Sequence, residues 1–366
     1  MIDIVSLDKW KINTGKPFLI AGPCAAESEE QVLDIASQLK DSGIHLFRSG
    51  IWKPRTRPDS FEGVGIKGLP WLHRVKKELN IPVCVEVANT DHVDASLKYD
   101  IDVLWIGART TVNPFLVQEI AESLRGVSIP VMIKNPVNAE LELWIGSVER
   151  FLKIGINQLI AIHRGFSFYG ETKYRNKPLW EIPIELRRRI PNLPILCDPS
   201  HICGKRDLIS TVSQKALDLG FDGLMIETHN DPDNAFSDRA QQLLPFDYIN
   251  LINSLTYRNT ELTDPLSKKS LSQLRALIDK IDEQIISSIA ERMELAEKIG
   301  EVKKENGITI YQPERWNEIL TLINEYSIDK KLSPDLMLKL YEYIHKESIR
   351  KQSKVMYGTS DIIDNK

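Results

Sequence analysis

The sequence predicts an α/β protein, a (β/α)8 barrel followed by a small all-α three-helix domain that dimerises. Three observations carry that prediction. Eight short apolar runs rich in β-branched residues recur through about the first 255 residues, close to the ~250 that such barrels use. Helix-like segments alternate with them. Beyond that point the strand-like runs stop, and apolar residues recur at three- and four-residue steps instead.

The strand-like runs are PFLIAG (17–22), HLFRSG (45–50), PVCVEV (82–87), DVLWIGA (102–108), PVMIK (130–134), QLIAIHR (158–164), PILCD (194–198) and DGLMIET (222–228). Most are continuously apolar, the pattern of strands covered on both faces. The segment 28–43 reads as a helix with Ser28 at its N-cap and Gly43 past its end, and 147–155 and 207–220 repeat the helix-then-glycine pattern. An open doubly wound sheet is the other architecture for such alternation, but it commonly carries GxGxxG after its first strand, and that motif is absent. Domains are expected over 1–256 for the barrel, 257–269 for a linker marked by Pro265 and its polar neighbours, and 270–366 for the helices. From Leu271 the stripe Leu274, Ile278, Ile281, Ile285, Ile289 and Met293 predicts one amphipathic helix of about 35 residues. Shorter helices follow around 313–326 and 334–356, with Pro313 and Pro334 suited to first turns. Three helices make a thin core, so dimerisation is expected.

The formal charge of −4 gives no reason to expect nucleic acid as a partner. No apolar run reaches the ~20 residues of a membrane span, and the N-terminal residues do not read as a secretory signal. The four cysteines (Cys24, Cys84, Cys197 and Cys203) show no CxxC spacing, which argues against a disulfide framework and for a reducing, cytoplasmic setting. Barrel enzymes place their chemistry at the C-terminal ends of the strands. Those ends carry Cys24; Arg48, Lys53 and Arg55; Glu86; Arg109; Lys134; His163 and Arg164; Asp198 and His201; and Glu227, with Asp238 beyond it. Alone, Cys24 could be a buried thiol, a disulfide half (with Cys203 as the candidate partner), a nucleophile or a metal ligand. Taken with His201, Glu227 and Asp238 it makes a mixed donor set suited to a borderline divalent metal such as Mn, Fe, Co or Zn. Lys53, Arg55, Arg109, Lys134 and Arg164 make a cationic pocket for phosphate and carboxylate groups. A phosphorylated, carboxylated substrate beside a Lewis-acid metal points to carbon–carbon bond formation at a carbonyl.

The motifs GPC (22–24), KPRT (53–56), GAR (107–109), DPSH (198–201) and SDRAQQL (237–243) resemble 3-deoxy-D-arabino-heptulosonate 7-phosphate (DAHP) synthase, in its short, octulosonate-synthase-like subgroup, over about residues 15–255. The resemblance implies one divalent metal ion on Cys24, His201, Glu227 and Asp238. It implies phosphoenolpyruvate on Lys53, Arg109, Lys134 and Arg164 with Arg48 nearby, and the phosphate of erythrose 4-phosphate on Arg55 and Thr56. Lys53 would move a proton and Glu86 would orient water. Asp198 is read as orienting His201, and His163, where several relatives carry Glu, is not assigned to the metal. The rival reading is 3-deoxy-D-manno-octulosonate 8-phosphate synthase, against which KPRT speaks.

The stretches LRALIDKIDEQI and AERMELAEKIGEVK resemble the all-helical chorismate mutases, over about residues 266–356. That resemblance implies an intertwined homodimer, a substrate, chorismate, and no cofactor. Arg292, Lys303, Arg315, Ser348 and Gln352 would bind it, with Lys303 and Gln352 at the ether oxygen. Arg275 would come from the partner chain, in keeping with its helical position about 100° from Arg292. Gln312 and Trp316 stand where some relatives carry Asp and Glu, so a degenerate, non-catalytic regulatory module is the alternative. With no regulatory extension expected before the barrel, the helical domain is the expected sensor, with prephenate or chorismate inhibiting the synthase.

Overall fold

The protein is described from a computed structural model covering residues 4–10, 12, 17–53, 60–170, 173–259 and 262–358. The chain divides into two compact units, Met1–Thr260 and Glu261–Lys366.

In the first unit eight parallel strands close into a barrel. They are β1 (Phe18–Gly22), β2 (Leu46–Arg48), β3 (Val83–Val87), β4 (Val103–Ile106), β5 (Val131–Lys134), β6 (Leu159–His163), β7 (Ile195–Cys197) and β8 (Gly223–Glu227). Each lies inside its expected run, because the outermost residues of those runs already turn into loops. β1 closes on β8 with Gly22 opposite Glu227. The helices are α1 (Glu29–Leu39), α2 (Gly68–Leu79), α3 (Thr90–Lys98), α4 (Ala108–Thr111), α5 (Pro114–Ser123), α6 (Leu141–Lys153), α7 (Glu181–Arg189), α8 (Pro199–Cys203), α9 (Ile209–Asp218) and α10 (Pro245–Ser254). Ser28 caps α1 as expected, accepting from the Gln31 N–H at 3.1 Å.

Alternation along each strand sorts side chains into two cores. Phe18, Ile20, Leu46, Cys84, Val103, Trp105, Met132, Ile160, Ile162, Leu196 and Met225 form an inner cluster, joined by Leu7 and Trp10. Phe47, Val85, Leu104, Ile133, Ala161 and Cys197 belong to the outer cluster shared with the helices. The same alternation gives Arg48, Glu86, Lys134, Asp198 and Glu227 the inward parity at the strand ends, and His163 the outward one.

The second unit contains α11 (Pro265–Glu305), α12 (Pro313–Asp329) and α13 (Pro334–Tyr357). α11 starts six residues before Leu271, which corrects the linker expected over 257–269. Asp264 accepts from the Ser267 N–H at 2.7 Å, and Pro265 occupies the first turn, where its missing N–H costs nothing. Only the C-terminal half of α11 is covered, through Met293, Ala296, Gly300 and Lys303. Leu274, Ile278 and Ile281 remain more than half exposed, at 56, 56 and 54 %.

Candidate active sites

Gly22 ends β1 at φ +144°, and a Cβ there would lie 2.0 Å from the Arg48 carbonyl, so only glycine lets Cys24 turn in beside β2. The Cys24 thiol donates to Asp238 Oδ2 at 3.2 Å and accepts from Lys53 Nζ at 2.9 Å. Sγ of Cys24 and carboxylate oxygens of Glu227 and Asp238 lie within 4.8 Å of one another. Glu227 is fully buried; its Oε2 accepts from Gln241 Nε2 at 2.7 Å, while Oε1 meets no hydrogen-bond geometry among the described residues. Arg48 Nη2 lies 3.1 Å from that Oε1, and its guanidinium stands over Trp105 at 5.1 Å.

Asp198 ties the other side of the mouth together. Its Oδ2 lies 2.7 Å from Lys134 Nζ and 2.8 Å from His201 Nδ1, and its Oδ1 accepts from the His201 N–H. This holds the His201 ring with Nε2 3.7 Å from Glu227 Oε1. A cavity of about 70 Å³ opens in front, lined by Lys53, Glu86, Arg109, Lys134, Arg164 and Arg175 together with His201 and Asp238.

The charges at the mouth set one another's ionisation. Burial, and then Glu227, push the Cys24 thiol up to about 12, although Lys53 opposes them. Burial disfavours the Asp238 anion, yet His201, Arg175 and Lys53 outweigh it and hold its carboxyl well below the usual range. For Asp198 the cost of burial is likewise overcome by His201 and Lys134. Lys53 loses to burial but gains more from Cys24, Glu227 and Glu86, so it stays a cation. Burial draws Arg164 down to about 10.

In the helical unit a cavity of about 400 Å³ lies among the three helices, lined by Arg292, Lys303, Arg315, Trp316, His345, Ser348 and Gln352. Gly300 lets α11 and α13 approach, since a Cβ there would stand 3.1 Å from Gln352 Cα. Arg292 Nη1 donates to Ser348 Oγ at 2.5 Å, and Lys303 Nζ to the Ile310 carbonyl at 2.5 Å. Gln352 Oε1 is buried without a donor among the described residues. Trp316 stacks on His345 at 4.0 Å.

Residues 4–263 match the family model described as DAHP synthetase I. The chain belongs to the DAHP synthetase I family. Residues 274–353 match chorismate mutase type II, and the two domains are a DAHP synthase and a chorismate mutase of aromatic biosynthesis. A phospho-2-dehydro-3-deoxyheptonate aldolase of Thermotoga maritima is 32% identical over 266 residues, which cover 73% of this chain and 75% of that protein. A 2-dehydro-3-deoxyphosphooctonate aldolase of Francisella tularensis is 30% identical over 253 residues, covering 64% of this chain and 88% of its own. The solved DAHP synthase from Thermotoga maritima superposes with a TM-score of 0.61 at 31% identity, covering 68% of this chain and 71% of that one.

Within the DAHP synthase domain, Cys24, Lys53, Glu86, Arg109, Lys134, Arg164, His201, Glu227 and Asp238 gather at the mouth. Arg48 does not line the cavity; it is 1% exposed and paired with Glu227. Arg55 and Thr56 lie outside the described residues. All four cysteines are free, so the Cys24–Cys203 alternative is not realised. His163 sits away from the mouth among Trp144, Phe166, Trp180 and Phe221, where burial takes its pKa down to about 3. In the mutase domain the expected Arg292, Lys303, Arg315, Ser348 and Gln352 share one cavity, and Arg275 stands exposed outside it. Arg175 and His345 went unnoticed in the sequence. Arg175 lies in the long connection after β6, where no strand end marks it, and His345 reads as one more residue on a helix face.

Proposed function

We propose that the synthase condenses phosphoenolpyruvate with erythrose 4-phosphate at a divalent metal ion, and that prephenate made by the mutase restrains it. The observation that carries the metal reading is the cluster itself: the Cys24 thiol and the Glu227 and Asp238 carboxylates lie within 4.8 Å of one another, with His201 Nε2 3.7 Å from Glu227 Oε1. These residues fit such an ion, with Cys24, His201, Glu227 and Asp238 holding it and Asp198 fixing the His201 ring. When bound, it would supply Lewis-acid polarisation of the aldehyde. Mn, Fe, Co and Zn all suit the donor set.

Lys53, Arg109, Lys134 and Arg164 hold the phosphate and carboxylate of phosphoenolpyruvate in the cavity they line. Arg55 and Thr56 receive the aldose phosphate. C3 of phosphoenolpyruvate bonds to the aldehyde carbon, whose oxygen takes a proton from Lys53 Nζ. Water oriented by Glu86 adds to C2 and returns one proton to Lys53 Nζ; the C2–O bond to phosphate then breaks, the remaining hydroxyl proton leaves on the phosphate, and C2 becomes the ketone. Arg48 holds Glu227 rather than touching substrate. An assay with erythrose 4-phosphate and with arabinose 5-phosphate, each with and without chelator, tests the reading. Turnover of arabinose 5-phosphate alone would assign an octulosonate synthase; rates unaffected by chelator and metal would overturn the metal assignment.

In the mutase, Arg292 and Arg315, with Arg275 of a second copy, clamp the two carboxylates of chorismate. Lys303 and Gln352 meet the ether oxygen as charge develops there. The exposed apolar stripe of α11 supports the homodimer that supplies Arg275. Chorismate decay measured on the full-length chain tests the catalytic role. Binding without turnover would reduce the domain to a sensor. Four free cysteines and the absence of any membrane-length apolar helix among the described residues accord with a cytoplasmic setting.

A further inference from the structure

Two side chains with no role in the chemistry above join two of the four proposed metal ligands, Asp238 and Glu227. Arg175 Nη1 donates to Asp238 Oδ1 at 2.8 Å and to Gln241 Oε1 at 2.7 Å. Gln241, only 1% exposed, passes the link on by donating from Nε2 to Glu227 Oε2 at 2.7 Å. The link therefore occupies one oxygen of each carboxylate. It leaves Asp238 Oδ2 facing the Cys24 thiol, and Glu227 Oε1 between Arg48 and His201 Nε2, at 3.1 and 3.7 Å.

Asp238 itself sits at φ +49°, in the left-handed region that Asp tolerates better than most residues with a side chain. The neighbour of Arg175 continues the clasp on the opposite flank. Asn176 Nδ2 donates to the His201 carbonyl at 2.6 Å, and its Oδ1 accepts from Arg164 Nη1 at 2.8 Å. The Arg175 and Asn176 amides also donate to the Cys203 and Ile202 carbonyls, at 3.3 and 3.2 Å. One short stretch after β6 thus grips α8, the Asp238 loop and a substrate cation together.

We propose that Arg175 and Gln241 are positioning residues of the metal centre, which orient Asp238 and Glu227 and so set how tightly the ion is held. This rests on the ligand assignment proposed above. Geometry and charge oppose each other here. Arg175 repels a dication, so charge alone predicts that Arg175→Met tightens metal binding. Positioning predicts that it weakens it, as loss of partners behind metal ligands commonly does, by roughly 10- to 100-fold. Gln241→Leu removes the same link without changing charge.

The test is cobalt(II) titration of the full-length variants, followed by chelator competition and by the visible spectrum. Mutase rate and thermal melting serve as checks that each chain is folded. The expected result is about tenfold weaker cobalt binding in both variants, with the thiolate charge-transfer band retained and the d–d envelope altered. Unchanged or tighter binding with an unaltered d–d envelope in either folded variant overturns the proposal. Cys24→Ala is the separate control. If it keeps the wild-type cobalt spectrum and affinity, the ligand assignment itself fails, whatever Arg175 and Gln241 do.

Discussion

Burial and charge compete openly at Cys24. An apolar strand end raises its thiol pKa and Lys53 alone does not reverse that, so a thiolate at this position calls for a stronger cation. Cys24→Ala is therefore expected to lose metal and condensing activity while chorismate turnover in the same chain is unchanged, measured by metal analysis and the two assays. Lys53→Met is expected to lower the condensation kcat by about 10²- to 10⁴-fold with metal still bound, the range for a lost proton donor. A retained rate would remove Lys53 from the mechanism. In the mutase, burial pulls the Lys303 pKa below the ordinary lysine value. The cation is the working form, so activity is present below that pKa and falls as pH rises through it. The alkaline limb of kcat/KM should therefore come at lower pH than for an exposed lysine, and Lys303→Arg should move it upward.

Among the elements, α11 does two different jobs along its length. Its C-terminal half covers Met293 and Ala296 and contributes Arg292 and Lys303 to the cavity, while its N-terminal half leaves an apolar stripe uncovered. Fully burying one isoleucine is worth roughly 1.5–3 kcal/mol, or about 10- to 100-fold in a dissociation constant. Ile281→Glu is expected to weaken self-association by at least that much in sedimentation velocity, and to lower chorismate turnover as Arg275 is withdrawn. A dimer of wild-type strength would place the interface elsewhere. The barrel strands work differently, because their parity decides function. Glu227 and Asp198 fall on the inner side of β8 and just past β7, while His163, at the end of β6, falls on the outer side and joins the aromatic packing. The spacing of polar residues in sequence does not separate these cases; strand register does.

For the whole molecule, a DAHP synthase domain and a chorismate mutase domain share one chain, and the proposed restraint by prephenate would couple them. Prephenate at saturating concentration is expected to slow the synthase in the full-length protein, and by linkage the synthase substrates should change prephenate affinity by the same factor. Unchanged rates with prephenate bound would break that coupling. By itself the sequence determined the closed barrel, through eight β-rich runs of the right spacing, and the helical domain, through its three- and four-residue apolar steps. It also determined the donor types at the strand ends, because motifs such as GPC and DPSH are contiguous. Tertiary structure alone decided what depends on contacts between distant residues. It paired Arg48 with Glu227, set His163 into the aromatic packing, and brought Arg175 across 63 positions of chain to Asp238. The start of α11 at Pro265 is local instead, since Asp264 caps it from three residues away. Periodicity and motifs record local preference. Ion pairs and orientation form only when the barrel closes, since a charge finds its partner through space and not along the chain.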